Sequence, residues 1–396
     1  MFLMSKGGEE MVRGTFQMMK SVNKSTILNK IRQSGPISRA EIAKVTGITP
    51  PTVSSIVKEL MDEKLVIESI LGESQGGRKP TMLLLNRNEH YVIGVDAGSD
   101  SIKACVSDLV GTILVRSELP IQAHTTIDSF LAVLIQAVQL VIKDMGTEGN
   151  KVIGIGIAMH GVVEVATGTS LYSANSGLRN VQIKEVLEAT FDLQVIVENN
   201  SRAMALGEYW FGNYGTLKSF AVINIGRGVG SGIIEDGNLR YGAQEIAGEI
   251  GHMTISLDGE KCSCGNQGCF ETFVTGDAIV RRAKKQIPDA ADDLTGEKVY
   301  EYALKGQRAY QKVLEETGVL IGIGIVNLIH SVNPEKIVLG GGVMKSHEFL
   351  MPSIIATIQQ RALTEKARKN TMITLSRIGD DATVLGAAAL LLTKLF

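Results

Sequence analysis

His252 is followed ten residues later by Cys262, then by Cys264 and Cys269, in the run Cys262-Ser-Cys-Gly-Asn-Gln-Gly-Cys269. Three thiols and an imidazole are the donors that tetrahedral zinc takes, and four protein ligands leave no open position for a reacting water. The intervening glycines let the chain double back so that three sulfurs can reach one ion. Such spacing reads as a metal clip and not as a disulfide framework. The expected ion is a structural zinc on His252, Cys262, Cys264 and Cys269, fixing the loop that carries Glu271 and the segment that carries Glu249. Reduced cysteines on a loop are the alternative. Cys105, in an apolar strand, reads as an inert core residue.

Glycine-rich turns are the second chemical signal. Two segments about 130 residues apart look alike: Val92-Ile-Gly-Val-Asp-Ala-Gly-Ser-Asp100 running into a strand and Asp108–Gly111, and Ala221-Val-Ile-Asn-Ile-Gly-Arg-Gly-Val-Gly230 running into a strand and Glu235-Asp-Gly237. Each reads as strand, tight turn, strand and acidic-glycine turn. Either turn could present backbone amides to a phosphate, and the duplication points to two lobes facing a cleft. A third turn, Gly340-Gly341-Gly342, follows the apolar strand Lys336–Leu339.

The elements that precede these turns have a different character. After a tail over 1–22, expected to fray, helical periodicity begins at Asn23, with Ile27, Leu28 and Ile31 on one side, and stops at Ser34-Gly-Pro36. Ser38 and Glu41 form the S-x-x-E pattern of a capping box, opening a short helix to Thr46, with Gly47 for a tight turn. Thr49 can cap a third helix, and Pro50 and Pro51 are tolerated in its first turn. Val53, Ile56, Val57 and Leu60 recur at i, i+3, i+4 and i+7 and must be buried. The opposite face carries Thr52, Ser55 and Lys58, with Thr49 leading. Small hydroxyls and a cation suit a major groove. Strands at Leu65–Ile70 and Thr81–Leu85 flank Gly76-Gly-Arg78-Lys79-Pro80, a basic wing. The reading is a winged helix-turn-helix over 23–86. Its candidate DNA contacts are Ser38, Thr49, Thr52, Ser55, Lys58, Arg78 and Lys79. A helical module that only binds another protein is the alternative.

Bulk composition agrees with this division. The 396 residues exceed what one core supports. Residues 1–86 hold 12 basic against 8 acidic side chains and the rest 28 against 34, so the front is basic within a chain of net charge −2. No secretory leader is visible at the N-terminus. The longest apolar stretches, around Phe130–Ile142 and Val319–Leu328, are too short to span a bilayer and read as buried helices. A cytoplasmic chain with no membrane partner is expected.

Taken in order, Asp-x-Gly at 96–98, Glu-Asn-Asn at 198–200, the glycines of 226–232, Gly-Glu-x-Gly-His at 248–252, Cys-x-Cys-Gly-x-x-Gly-Cys-x-Glu at 262–271 and Gly-Gly-Gly at 340–342 resemble the ROK family of repressors, open reading frames and kinases. The resemblance covers essentially the whole chain. With the head and its wing, it is greatest to the xylose repressors of that family. It implies an α/β, two-lobed, actin-like (ribonuclease H-like ATPase) body over 87–396, with lobes meeting near 200–220. The last helix (381–396) is expected to return to the first lobe. It also implies a sugar in the cleft, held by Asn199, Asn200, Glu249, His252 and Glu271, with one ring nitrogen of His252 on zinc and the other towards sugar. Carboxylates and amides suit vicinal hydroxyls.

The departures from a kinase are as telling. A ROK sugar kinase carries at position 200 the Asp that takes the proton from the attacking hydroxyl, and here Asn200 stands there. An amide binds a hydroxyl but is no base near neutral pH. Asp100 and Arg227 replace neutral residues of the phosphate turns. The expectation is a sugar-responsive repressor of carbohydrate-utilisation genes, a homodimer or homotetramer on a palindromic operator, with a sensor that catalyses nothing. The rival is an active, ATP-dependent sugar kinase with an appended DNA-binding domain.

Overall fold

The computed structural model describes residues 7–71, 80–122, 125–173, 176–215 and 217–396. The head comprises α1 (Gly7–Ser34), β1 (Ile37–Ser38), α2 (Arg39–Thr46), α3 (Pro50–Asp62), β2 (Val66–Leu71) and β3 (Thr81–Leu85), with β3 between β1 and β2 in an antiparallel sheet. Ser38 and Glu41 make both halves of the capping box, and Gly47 ends α2 at φ 71°. Ile27, Leu28, Ile31, Ile42, Val53, Ile56, Val57 and Leu60 fill the interior as their periodicity requires. Two details differ from expectation. The first helix runs from Gly7, whereas the periodicity places its start at Asn23. Thr49 occupies the cap position of α3, but its hydroxyl caps no amide and pairs instead with the Thr52 hydroxyl at 2.9 Å.

The first lobe runs β4 (Tyr91–Ala97), β5 (Ser101–Asp108), β6 (Ile113–Pro120), α4 (Ile127–Asp144), β7 (Val152–Met159), three short strands β8 (Val162–Glu164), β9 (Thr169–Tyr172) and β10 (Arg179–Gln182), then α5 (Ile183–Phe191) and β11 (Gln194–Asn199). Helix α6 (Asn200–Phe211) leads to the second lobe. That lobe contains β12 (Ser219–Ile225), β13 (Val229–Glu235), β14 (Asn238–Leu239), α7 (Glu271–Val274), α8 (Gly276–Gln286), α9 (Gly296–Leu304), α10 (Arg308–Val332), β15 (Lys336–Gly340), α11 (His347–Arg361), α12 (Glu365–Asn370) and β16 (Met372–Leu375). Helix α13 (Ala382–Leu395) closes the chain.

The two main sheets repeat one topology. The first has the order β6-β5-β4-β7-β11 and the second β14-β13-β12-β15-β16. In each, the hairpin that carries the glycine turn supplies the central strand, and two parallel strands extend from it. Central strands buried on both faces read as unbroken apolar runs, as Val152–Met159 does. Helix α13 lies against β4 and β7 of the first lobe and against α6. Its approach requires small residues: a Cβ on Gly156 would stand 1.8 Å from the Ala387 carbonyl oxygen.

The core of the head is continuous with the body. Its apolar cluster continues through Val92 and Leu109 of the first lobe into Ala388, Leu391, Leu392 and Phe396 of α13. Helix α10 is the one described helix long and apolar enough to cross a membrane, and 61% of that stretch is buried in the second lobe.

Candidate effector cleft and DNA-reading face

The C-terminal ends of β4, β7 and β11 meet the glycine turns of the second lobe across a cleft of about 480 Å³. Asn199, Asn200, Glu249, His252 and Glu271 all line it, together with Asp96, Asp100, Arg227 and the Gly341-Gly342 turn. Ligands approach α/β sheets at these strand ends because the backbone there diverges and leaves amides and side chains facing solvent.

Each of the five residues is positioned differently. Asn199 is buried at the start of α6, where its side-chain oxygen accepts from the amides of Ser201 (2.9 Å) and Arg202 (3.2 Å) while Nδ2 donates to the Gly161 carbonyl at 2.9 Å. Its oxygen is therefore committed to the helix, and one amide N–H remains for a ligand. Asn200 is half-buried at the cleft, with the Ser201 hydroxyl 3.5 Å from its oxygen. Glu249 heads a 3-10 turn, yet its carboxylate caps no amide. Burial raises its pKa above the ordinary carboxylate range, opposed by the nearby His252. Glu271 opens α7, its Oε1 2.9 Å from the Cys262 sulfur and 3.7 Å from His252 Nδ1.

The neighbouring Glu198 takes no part. It is fully buried and ion-paired to Arg202 at 2.7 Å, whose guanidinium also donates to the Glu245 carbonyl at 2.6 Å.

The His252, Cys262, Cys264 and Cys269 donor atoms all lie within 4.8 Å of one another. His252 Nδ1 is 3.6 Å from the Cys262 sulfur, and Cys264 and Cys269 sulfurs are 3.7 Å apart, too far for a disulfide and close enough to share one cation. Nδ1 is thus the nitrogen within the sulfur cluster, and the rest of the ring borders the cleft. The Cys105 thiol, by contrast, is buried on β5 and pushed up to about 12 by that burial.

The two glycine-bearing turns meet. Arg227 Nε lies 2.7 Å from Asp100 Oδ2, an ion pair that joins the β4–β5 turn of one lobe to the β12–β13 turn of the other.

On the head, Thr49, Ser55 and Lys58 are exposed and Thr52 half-exposed along one side of α3, and Ser54 is exposed beside them. Ser38 is not on that face. It is 5% exposed, and its hydroxyl is committed to the helix cap by the Glu41 amide and carboxylate. Arg78 and Lys79 lie outside the described residues. Sequence reasoning missed His160, Gly161 and Asn224 in the cleft. For His160-Gly161 the available signal was a polar-glycine pair directly after the buried strand Val152–Met159, the position of a strand-end ligand site.

A two-lobed actin-like body with a ligand cleft, preceded by a winged helix-turn-helix, is the class defined by this architecture. The ROK family model matches residues 92–394 and a winged helix-turn-helix DNA-binding model matches 23–67. The chain belongs to the ROK family. It is 31% identical over 392 residues to the xylose repressor of Caldicellulosiruptor bescii, covering 96% of this chain and 98% of that one. It is 29% identical over 395 residues to the dual regulator NagC of Escherichia coli, covering 98% and 96%. Among solved structures, a ROK transcriptional regulator homologous to E. coli MLC superposes with a TM-score of 0.81 at 27% identity, over 93% of this chain and 95% of that one. A ROK glucokinase from Streptomyces griseus, in complex with glucose and AMPPNP, matches the body alone, with a TM-score of 0.69 at 30% identity over 76% of this chain and 98% of that one.

Proposed function

We propose that this chain is a sugar-responsive transcriptional repressor of carbohydrate-utilisation genes. Its winged helix-turn-helix reads a palindromic operator as a homodimer or homotetramer, and its kinase-like body senses a small sugar without phosphorylating it. The carrying observation is helix α6. It begins in the cleft at Asn199 and Asn200, runs for 12 residues of which Ser201–Glu208 are buried, and ends against the head. Twelve residues span about 18 Å. At the far end the Arg32 guanidinium of α1 lies 3.9 Å above the Trp210 ring and its NH1 approaches the Trp210 carbonyl at 3.4 Å, while Phe396 packs edge-on against the same ring at 5.2 Å. Burial there lowers the Arg32 pKa to about 10. A sugar that engages the start of α6 therefore has a rigid, buried path to the base of the reading head. It shifts operator affinity if it binds one arrangement of α6 and head better than the other.

In this reading Thr49, Thr52, Ser55 and Lys58 of α3 contact DNA, with Arg78 and Lys79 of the wing on the backbone. Asn199, Asn200, Glu249, His252 and Glu271 bind the sugar. The Cys3His cluster suits zinc, which would tie Glu271 and His252 together by closing the loop beneath them. That cation serves structure only, since its four protein ligands leave no site for substrate. Xylose is the first candidate effector because relatives named xylose repressors match nearly the full chain. The absence of phosphorylation rests on Asn200, which cannot accept a proton near neutral pH, and on the Arg227–Asp100 pair across the phosphate turns.

The test is operator retention by the full chain against xylose, glucose and N-acetylglucosamine, alongside ATP consumption. Wild type should release operator with one of these sugars and consume no ATP. Trp210→Ala should still bind sugar and operator, each within about fivefold of wild type, but lose most of the sugar-induced release. Turnover of ATP with any sugar overturns the sensor reading.

A further inference from the structure

His160 stands one residue beyond β7, where Met159 is paired with Ala97 of β4 on one side and Asn199 of β11 on the other. The residue is 8% exposed and lines the cleft beside Asp96, Asn199 and Asn200. Its Nδ1 is 2.9 Å from the Ala97 carbonyl oxygen. A carbonyl only accepts, so Nδ1 carries the proton of that bond. In the neutral ring, which burial favours here, the remaining nitrogen is then an acceptor. Nε2 is buried and has no hydrogen-bond partner among the described residues.

A buried acceptor left unpaired is costly, so native structures supply a partner, from the protein, water or a ligand. The chemistry around Nε2 narrows what that partner is. A deprotonated phosphate presents only acceptors and has no proton to give to an unprotonated Nε2. A hydroxyl offers one proton and two lone pairs. Asn199 is complementary: its oxygen is spent on the start of α6, leaving an N–H to donate. A hydroxyl carries both the proton that Nε2 lacks and the lone pairs that an amide N–H needs.

We propose that His160 Nε2 accepts a hydrogen bond from one hydroxyl of the sugar effector, making His160 a specificity-determining residue of the sensor. This rests on the sugar-sensor reading and adds to it a requirement that the effector carry a donor at one ring position.

The experiment is calorimetric titration of the full chain with D-xylose, D-glucose and N-acetyl-D-glucosamine, followed by the monodeoxy and deoxyfluoro analogues of whichever sugar binds. Fluorine can replace a hydroxyl in size but cannot donate. Wild type should show a position at which the deoxy and deoxyfluoro analogues both lose tenfold or more in affinity. In His160→Phe that loss should shrink to less than about threefold, while losses at other positions persist. A readout that needs no variant to fold is nitrogen NMR of 15N-histidine-labelled wild type. One histidine should show an unprotonated Nε2 whose resonance moves towards the hydrogen-bonded range on saturation with the sugar and stays put with the matching deoxy analogue; loss of that signal in His160→Gln assigns it. If sugar binds but the analogue profile is the same in the variant, or no such resonance responds, Nε2 reads only a resident water and the proposal falls. If none of the three sugars binds wild type, the sensor reading itself falls and carries this inference with it.

Discussion

In the first lobe the turn between β4 and β5 is held within its own sheet, by the Gly98 amide on the Ser101 carbonyl at 3.1 Å and by the Ile121 amide, just beyond β6, on the Asp100 carbonyl at 2.8 Å. In the second lobe the equivalent turn is held from behind as well. The Gly276 amide, at the head of α8, donates to the Gly226 carbonyl at 3.2 Å, and Glu271 lies beneath Gly228, bound in turn to the Cys3His loop. One duplicated strand-turn-strand unit has thus been stabilised in two ways. The first lobe supplies polar groups set at strand ends, the half-buried Asp96 and the buried His160 and Asn199. The second supplies Glu249, His252 and Glu271 from an insertion that a cation can lock. Shared topology fixes where a ligand approaches, and the local support decides which groups are rigid when it arrives.

Removing the lock should separate the lobes most clearly. Cys269 is wholly buried, and Cys269→Ser should abolish stoichiometric metal content and weaken sugar binding at least 100-fold, since ligands and the shell they orient act together. Hydrogen exchange should show lost protection around Glu249–Val274 with β4, β5 and β7 unchanged. Equal loss in both lobes would mean that the insertion supports the whole body and that the contrast is misplaced.

The first lobe's half-buried carboxylate, Asp96, gives the next largest effect. Burial raises the Asp96 pKa from 3.8 to about 6, against the pull of Lys103. A group whose pKa is raised on folding favours the native state at low pH, and that contribution is lost as pH rises through about 6. Asp96→Asn should therefore stabilise the protein at pH 8, by up to about 3 kcal/mol, and the gain should fade towards pH 4. Urea unfolding at the two pH values measures it. A gain that is the same at both would trace to packing and not to a buried charge.

The Arg227–Asp100 pair joins the two turns, and both side chains are well exposed, at 65% and 60%. Exposed pairs contribute roughly 0–1 kcal/mol and are screened by salt. Arg227→Thr should change sugar affinity by less than about fivefold at low salt and leave it unaltered in about 0.5 M salt. A larger or salt-insensitive change would make the pair a structural clasp between lobes and weaken the view that each turn is held by its own side.

Much of this architecture was legible in local pattern. The capping box at Ser38 and Glu41, the i, i+3, i+4, i+7 burial of Val53, Ile56, Val57 and Leu60, and the Cys-x-Cys spacing all concern groups within one or two turns of chain, where geometry is dictated by backbone period. The duplicated turns were equally visible, because two strands and their hairpin are contiguous. Ser38 shows the limit of such reasoning. Pattern marked it both as a cap and as a DNA contact, and only packing shows that one hydroxyl at 5% exposure is committed to the cap.

What the amino-acid order determined by itself was the set of pieces: a winged helix-turn-helix, two like halves of an α/β body, a cluster of one histidine and three cysteines, and the asparagine pair at 199 and 200. Tertiary structure decided how they are joined. It placed Arg227 against Asp100 and left His160 with one unspent nitrogen. It fused the head's core to α13 and set α6 between cleft and head. The partners in each of these contacts lie tens to hundreds of residues apart, and no periodicity of a helix or strand reaches that far. Their pairing follows only once close packing of the two lobes has excluded every other neighbour.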